Sequence, residues 1–231
     1  MQTHRVIGVL GGMGPAATVE FFRRLVAATP ATIDQDHLRI VIDNDPTIPD
    51  RTRALLHGGP SPVPALARVA QRLEAAGAEV LAMPCNTAHA FLDPIRDAVD
   101  VQVLDMIEET AARMDAESVG LLATSGTVEA RVYHRVFDGR GIGLVLPESD
   151  DQQTVGRAIE AVKASRSMME IEAALVGVVE RLAGRGASVV IAGCTEISLL
   201  DGTGMPLPWI DALDCLVEAT IREAFRKGVD S

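Results

Sequence analysis

The sequence predicts an α/β fold of two pseudo-symmetric lobes, each a mostly parallel sheet flanked by helices, with a ligand cleft between them. Three observations predict it. Short apolar runs alternate with helical patterns along the whole chain, as in parallel sheets covered on both faces. The chain repeats itself: LEAAGAEVLAMPCNT aligns without a gap on LAGRGASVVIAGCTE, pairing Cys85 with Cys194 at an offset of 109 residues (85 to 194). VIGVLGGMGPAATVEFF likewise aligns on SVGLLATSGTVEARVYH, matching Gly8 to Gly120 and Phe21 to Tyr133 at an offset of 112 (8 to 120). Two such similar offsets mean two copies of one unit, whose matched positions face each other across a pseudo-twofold axis.

The elements follow in order. RVIGVLG, LRIVIDN, AEVLAMP and VQVLD read as the strands of the first unit, and SVGLLAT, IGLVLP, SVVIAGC and PLPWID as those of the second. AATVEFFRRLVAA, PVPALARVAQRLEAAG, IEETAARM, TVGRAIEAVKAS, MEIEAALVGVVERLAGRG and LDCLVEATIREAFRKG place apolar residues three and four apart and read as covering helices. Gly77 and Gly186 stand where two of these helices should stop. HGGPSPVP reads as a surface loop between helices and a candidate lid. The break between units is placed at Asp100 to Asp105, and the last helix is expected to return to the first unit. The domain reading is therefore 1–103 plus 209–231 for the N-terminal lobe and 104–208 for the C-terminal lobe.

Composition limits the function. The chain has 231 residues, 48% hydrophobic but only 3% aromatic, so its core is built from aliphatic side chains. A net charge of −11 disfavours nucleic acid and anionic membranes as partners, and requires local cations for any anionic ligand. MQTHRVIGVLGG runs straight into a strand pattern without the features of a signal peptide, and no apolar run reaches membrane-spanning length. A cytoplasmic protein is expected. The three cysteines fall in no metal-binding spacing, so free thiols and no metal are expected.

Cys85 and Cys194 both end an apolar strand at the sheet edge where open α/β folds bind ligands. Polar neighbours, Asn86 and Thr87 at one and Thr195 and Glu196 at the other, set them apart from core filler, whereas Cys215 lies in an amphipathic pattern and reads as core. Amides at the following helix starts are expected to lower both thiol pKa values toward neutrality. Two facing thiols suit proton removal from one side of a carbon and delivery to the other. The turn GGMGPAAT nearly fits a dinucleotide fingerprint, but Pro15 and the distant Asp43 argue against it. Its backbone amides suit a carboxylate instead, and its copy ATSGT offers Thr124, Ser125 and Thr127. Arg51 and Lys163 are candidate carboxylate ligands, although spacing does not separate Arg51 from Arg53. His89 is a further hydrogen-bonding candidate.

GGMGPAAT, IPDRT, PCNTAHAF, ATSGT and AGCTEISLL, in that order, resemble the aspartate/glutamate racemase family, and within it the aspartate racemase branch. The resemblance implies a two-lobed, homodimeric, metal-free and cofactor-free enzyme acting on a small acidic amino acid held between the lobes. It implies Cys85 and Cys194 as the acid/base pair and Arg51 and Lys163 as carboxylate ligands. Met13, Asn86, Thr87, Thr124, Thr127 and Thr195 would line the pocket, with Glu196 beside them. Glutamate racemases resemble the chain less, having a DSGxGG-like first turn and CTH where this chain has GGMGP and CTE. Ala90 stands where bulkier residues are common, which implies a roomier pocket. Glutamate or a broader amino-acid range, a maleate-isomerase-like reaction, and an amino-acid-binding module without turnover are the alternatives.

Overall fold

Each half of the chain builds its own four-stranded parallel sheet. The structure, a computed structural model, describes residues 4–164, 168–200 and 202–226; the helix ends expected at Ser165 and at Lys227–Gly228 lie outside them. The first half contributes β1 (Ile7–Gly11), α1 (Pro15–Ala28), β2 (Ile40–Asn44), α2 (Arg51–Leu56), α3 (Val63–Ala75), β3 (Val80–Ala82), α4 (Leu92–Arg96) and β4 (Gln102–Val103). The second contributes α5 (Met106–Ala112), β5 (Ser118–Leu122), α6 (Ser125–Glu129), α7 (His134–Phe137), β6 (Gly143–Val145), α8 (Ser149–Lys163), α9 (Met168–Gly184), β7 (Val189–Ala192), β8 (Trp209–Asp211) and α10 (Ala212–Phe225).

The sheets run β2-β1-β3-β4 and β6-β5-β7-β8, and every pair is parallel. The same order recurs in both, as the internal repeat requires. Apolar runs without polar alternation form these strands because both faces are covered. Along β1 every residue is buried. Ile7 and Val9 join Val119, Leu121, Val189 and Ile191 in a central core that both sheets share. Leu10 and Leu81 face α3 on the outer side of the first sheet, while Leu122 and Val190 face α8 and α9 on the outer side of the second. The helices α3 and α9 stop where expected: Gly77 and Gly186 adopt positive φ values of 90° and 98°, a conformation in which a side chain would be strained.

The lobes are laced together by their ends. After β8, α10 packs on α1 and α5, and its Leu213 and Leu216 enter the central core. Trp209–Asp211, grouped with the first lobe in the expected division of 1–103 plus 209–231, pair with β7 of the second sheet. Asp211 caps α10 by accepting from the Leu213 N–H at 2.8 Å and is gripped at 2.5 Å by Arg24 of α1. Asp105 likewise caps α5 and is paired at 3.1 Å with Arg135 of α7. Each sheet is thus followed by an aspartate that caps the next helix and is held by an arginine. No described helix is long and apolar enough to cross a membrane.

Candidate active site

Both thiols sit at the carboxyl ends of matched strands. Beyond β3 the chain turns at Met83 to Cys85, with the Cys85 N–H donating to the Met83 carbonyl at 2.8 Å, and enters a single 3-10 turn at Thr87–Phe91. His89 in that turn is fixed at both nitrogens: its Nε2 accepts from the Met106 N–H at 3.1 Å, so its Nδ1 carries the proton and donates to the Cys85 carbonyl at 2.8 Å. Beyond β7, Cys194 precedes a matching turn at Ile197–Leu199. There Ser198 donates its N–H to the Cys194 carbonyl at 3.1 Å and its hydroxyl to Asp211 at 2.5 Å. The crossing helices therefore anchor both thiol loops.

Arg51 starts α2, whose N-cap Asp50 accepts from the Arg53 N–H at 2.6 Å. This short helix settles what spacing left open, since Arg51 faces inward and Arg53 is exposed. Arg51 Nη1 donates to the carbonyls of Ile48 and Pro49 at 3.3 and 3.1 Å, while its Nε is buried without a partner. Across the cleft, α6 approaches α2 so closely that a Cβ on Gly126 would lie 2.6 Å from the Thr52 hydroxyl. The second copy of the glycine turn is needed for this inter-lobe contact.

A narrow cavity between the lobes, with about 360 Å³ of empty space including its mouth, gathers nearly all the predicted residues. Met13, Arg51, Cys85, Asn86 and Thr87 line it from the first lobe, and Thr124, Lys163, Cys194, Thr195 and Glu196 from the second. Thr127 is not on the wall. It is fully buried behind it, in a hydroxyl cluster with Thr87 at 2.9 Å and Thr124 at 3.0 Å that ties the lobes together. Ser125 and Ala90 are exposed and off the wall, so the expected enlargement of the pocket at Ala90 does not arise. Asp50 and Thr52 line the cavity unforeseen; the aspartate was legible only as a helix-start signal. Cys215 is buried on α10 away from the cavity, as expected of core.

The electrostatics correct one expectation. Burial pushes both cavity thiols above the ordinary cysteine value and outweighs any help from neighbouring amides. Their neighbours then separate them. At Cys85 burial is opposed by the guanidinium of Arg51 and by the Ala88 N–H. At Cys194 burial is reinforced by the Glu196 carboxylate, to which Sγ donates at 3.0 Å, and the thiol lies well above its usual range. Lys163 is half exposed and bonded to Glu160 at 3.1 Å; partial burial opposes its charge, but Glu196, Glu160 and Cys194 together raise its pKa, so it is a cation. Of the two thiols, Cys194 is accordingly the harder to ionise. Among the described residues no group of three or more His, Cys, Asp or Glu side chains gathers to hold a metal ion.

Comparison with known proteins identifies the family and the fold. The family profile described as Asp/Glu/Hydantoin racemase matches residues 10–220. The broad specificity amino-acid racemase RacX of Bacillus subtilis is 30% identical over 233 residues, covering 94% of this chain and 96% of its own. Among solved structures, Picrophilus torridus aspartate racemase superposes with a TM-score of 0.86 at 32% identity, covering 96% of this chain and 95% of its own. Francisella tularensis glutamate racemase, at a TM-score of 0.66 and 18% identity over 99% of this chain and 85% of its own, shares the two-lobed fold.

Proposed function

Because the chain belongs to the Asp/Glu/Hydantoin racemase family, we propose that it interconverts L- and D-aspartate with Cys85 and Cys194 as acid and base and without a cofactor. The observation that carries this reading is the pair of thiols, at matched strand ends on one cavity, with a cation beside one and a carboxylate beside the other. The pair works while it holds a single proton. The Cys85 thiolate takes the Cα proton from its side, the electron pair left on Cα delocalises into the α-carboxylate, and the Cys194 thiol delivers its proton to the opposite side. The reverse reaction begins from the complementary protonation state.

Arg51 and Lys163 neutralise the two carboxylates and so stabilise the negative charge that grows during proton removal. Arg51 Nε and Asn86 Nδ2, buried without partners on two residues of the cavity wall, are the donors assigned to those oxygens. Glu196, buried on the cavity wall, is the acceptor for the substrate ammonium as well as the partner of Cys194. Met13, Thr87, Thr124 and Thr195 complete the walls, and Thr127 supports them from behind. An ammonium acceptor favours amino acids over amine-free dicarboxylates such as maleate. A wider amino-acid range is the second reading, supported by the resemblance to RacX along nearly the full length.

The lobes are taken as 4–103 plus 212–226 and as 104–211. Val19, Phe22 and Val26 form an exposed apolar stripe on α1 that suits contact with a second copy and supports a homodimer, which we place in the cytoplasm. The test is turnover by the single variants Cys85→Ser and Cys194→Ser against L- and D-aspartate, glutamate, neutral amino acids and maleate. Near-complete loss of aspartate racemisation in both is expected. Near-full turnover by either would refute the two-thiol mechanism, and fumarate formed from maleate would favour the isomerase alternative.

A further inference from the structure

Asn86 lies on the cavity wall with its Nδ2 buried and unpartnered, while its Oδ1 accepts from the Tyr133 hydroxyl at 2.6 Å. The two ends of a carboxamide are nearly alike in shape and opposite in function, so whatever bonds one end decides what the other presents. Tyr133 belongs to the second lobe, at the N-cap of α7, and is fully buried. Its ring packs on Phe137 with centroids 5.5 Å apart, which fixes where the hydroxyl points.

The internal repeat shows that this hydroxyl is not needed for filling. The gapless alignments match Tyr133 with Phe21 and Asn86 with Thr195. Phe21 is equally buried, so an aromatic ring without a hydroxyl suffices at that place in the first half. The hydroxyl, from the second lobe, meets the carboxamide beside Cys85 of the first, and neither group has a counterpart at the matched positions Phe21 and Thr195.

We infer that Tyr133 is a positioning residue that holds the Asn86 carboxamide with Nδ2 toward the cleft, where it donates to a substrate carboxylate oxygen. The inference rests on the amino-acid-racemase reading of the cleft. It also makes the two halves of the cavity unequal, with one substrate carboxylate directed to the Arg51 and Asn86 side. Without the hydroxyl the amide is free to turn its oxygen toward that carboxylate.

A double-mutant cycle on the full chain tests it, using Tyr133→Phe, Asn86→Ala and the double variant. Aspartate kcat, KM and, by calorimetry, Kd are measured for each, with thermal melts as a control. Loss of a hydrogen bond to a charged group lowers kcat/KM or binding by about 10- to 150-fold. Each single variant is expected to lose at least about tenfold, and the double variant no more than Asn86→Ala alone. Additive losses, a near-unchanged Tyr133→Phe, or a Tyr133→Phe that fails to fold would overturn the inference, the last because it assigns the hydroxyl to the core. A wild-type chain that binds aspartate without exchanging its α-proton refutes the racemase reading alone, and the cycle is then read in Kd. A wild-type chain that neither binds nor exchanges aspartate overturns both.

Discussion

Replacing Arg51 by lysine separates the charge of this residue from its geometry. Arg51 spends Nη1 on the Ile48 and Pro49 carbonyls and still presents a buried, unpartnered Nε in the cavity wall. A lysine has one ammonium group, which can either take the backbone anchors or reach the ligand. The variant keeps a cation near Cys85 but loses at least one charge-assisted hydrogen bond. Such a bond contributes about 1.5–3 kcal/mol, which corresponds to a fall in kcat/KM of roughly 10- to 150-fold. The assay is α-proton exchange of aspartate in D2O followed by NMR at several substrate concentrations, with a thermal melt to confirm folding. Arg51→Met, which also removes the cation, is expected to fall further and to shift the acidic limb of the pH profile upward, because Cys85 then loses the charge that opposes its burial. Arg51→Lys with kcat/KM within about threefold of wild type would refute the assignment of this guanidinium to the substrate.

Further predictions concern protons and packing. In Glu196→Gln, Cys194 loses the carboxylate that raises its pKa, so its alkylation, followed by peptide mass spectrometry, should begin at lower pH than in wild type; an unchanged profile contradicts the coupling. His89 is buried neutral with a lowered pKa, so the folded state resists the proton that the unfolded chain accepts below about pH 6.5. Stability should therefore decline as pH falls from 6.5 through the lowered folded value, and His89→Gln should flatten that part of the Tm-against-pH curve; an equally steep curve points to other groups. Phe21→Ala, which opens the shared core, should cost about 3–5 kcal/mol in denaturant unfolding, and a loss under about 1 kcal/mol would mean that the lobes do not share that core.

Much of this protein was legible along the chain because it is written twice. All eight strands among the described residues lie within the apolar runs that announced them, and the repeat that matched Cys85 to Cys194 also anticipated two sheets of one order. What escaped depends on distances that no local pattern carries. Arg51 and Arg53 differ only in which side of a six-residue helix they occupy, and packing of α2 against α6 makes that choice. The thiol pKa values were read from helix starts, but the lobes close over both cysteines and desolvation outweighs a few amides. Trp209–Asp211 looked like the start of a returning segment, but these residues pair with β7 in the second sheet, and it is α10 after them that packs on α1. Tyr133 gave no sign of meeting Asn86, 47 residues away, since only the folded inter-lobe seam brings them together.

The central claim, that one thiol removes the α-proton from one side of a carbon while the other delivers its own proton to the opposite side, meets its most direct test in a single measurement. Proton NMR of L- and D-aspartate in D2O is followed with the purified, reduced protein and no added cofactor or metal, alongside chiral analysis of the product. Loss of the α-proton signal from both enantiomers, with interconversion between them and with neither activity surviving in Cys85→Ser or Cys194→Ser, is the expected result. Retention of the α-proton in both enantiomers, or exchange that proceeds without inversion in the wild-type protein, would contradict it.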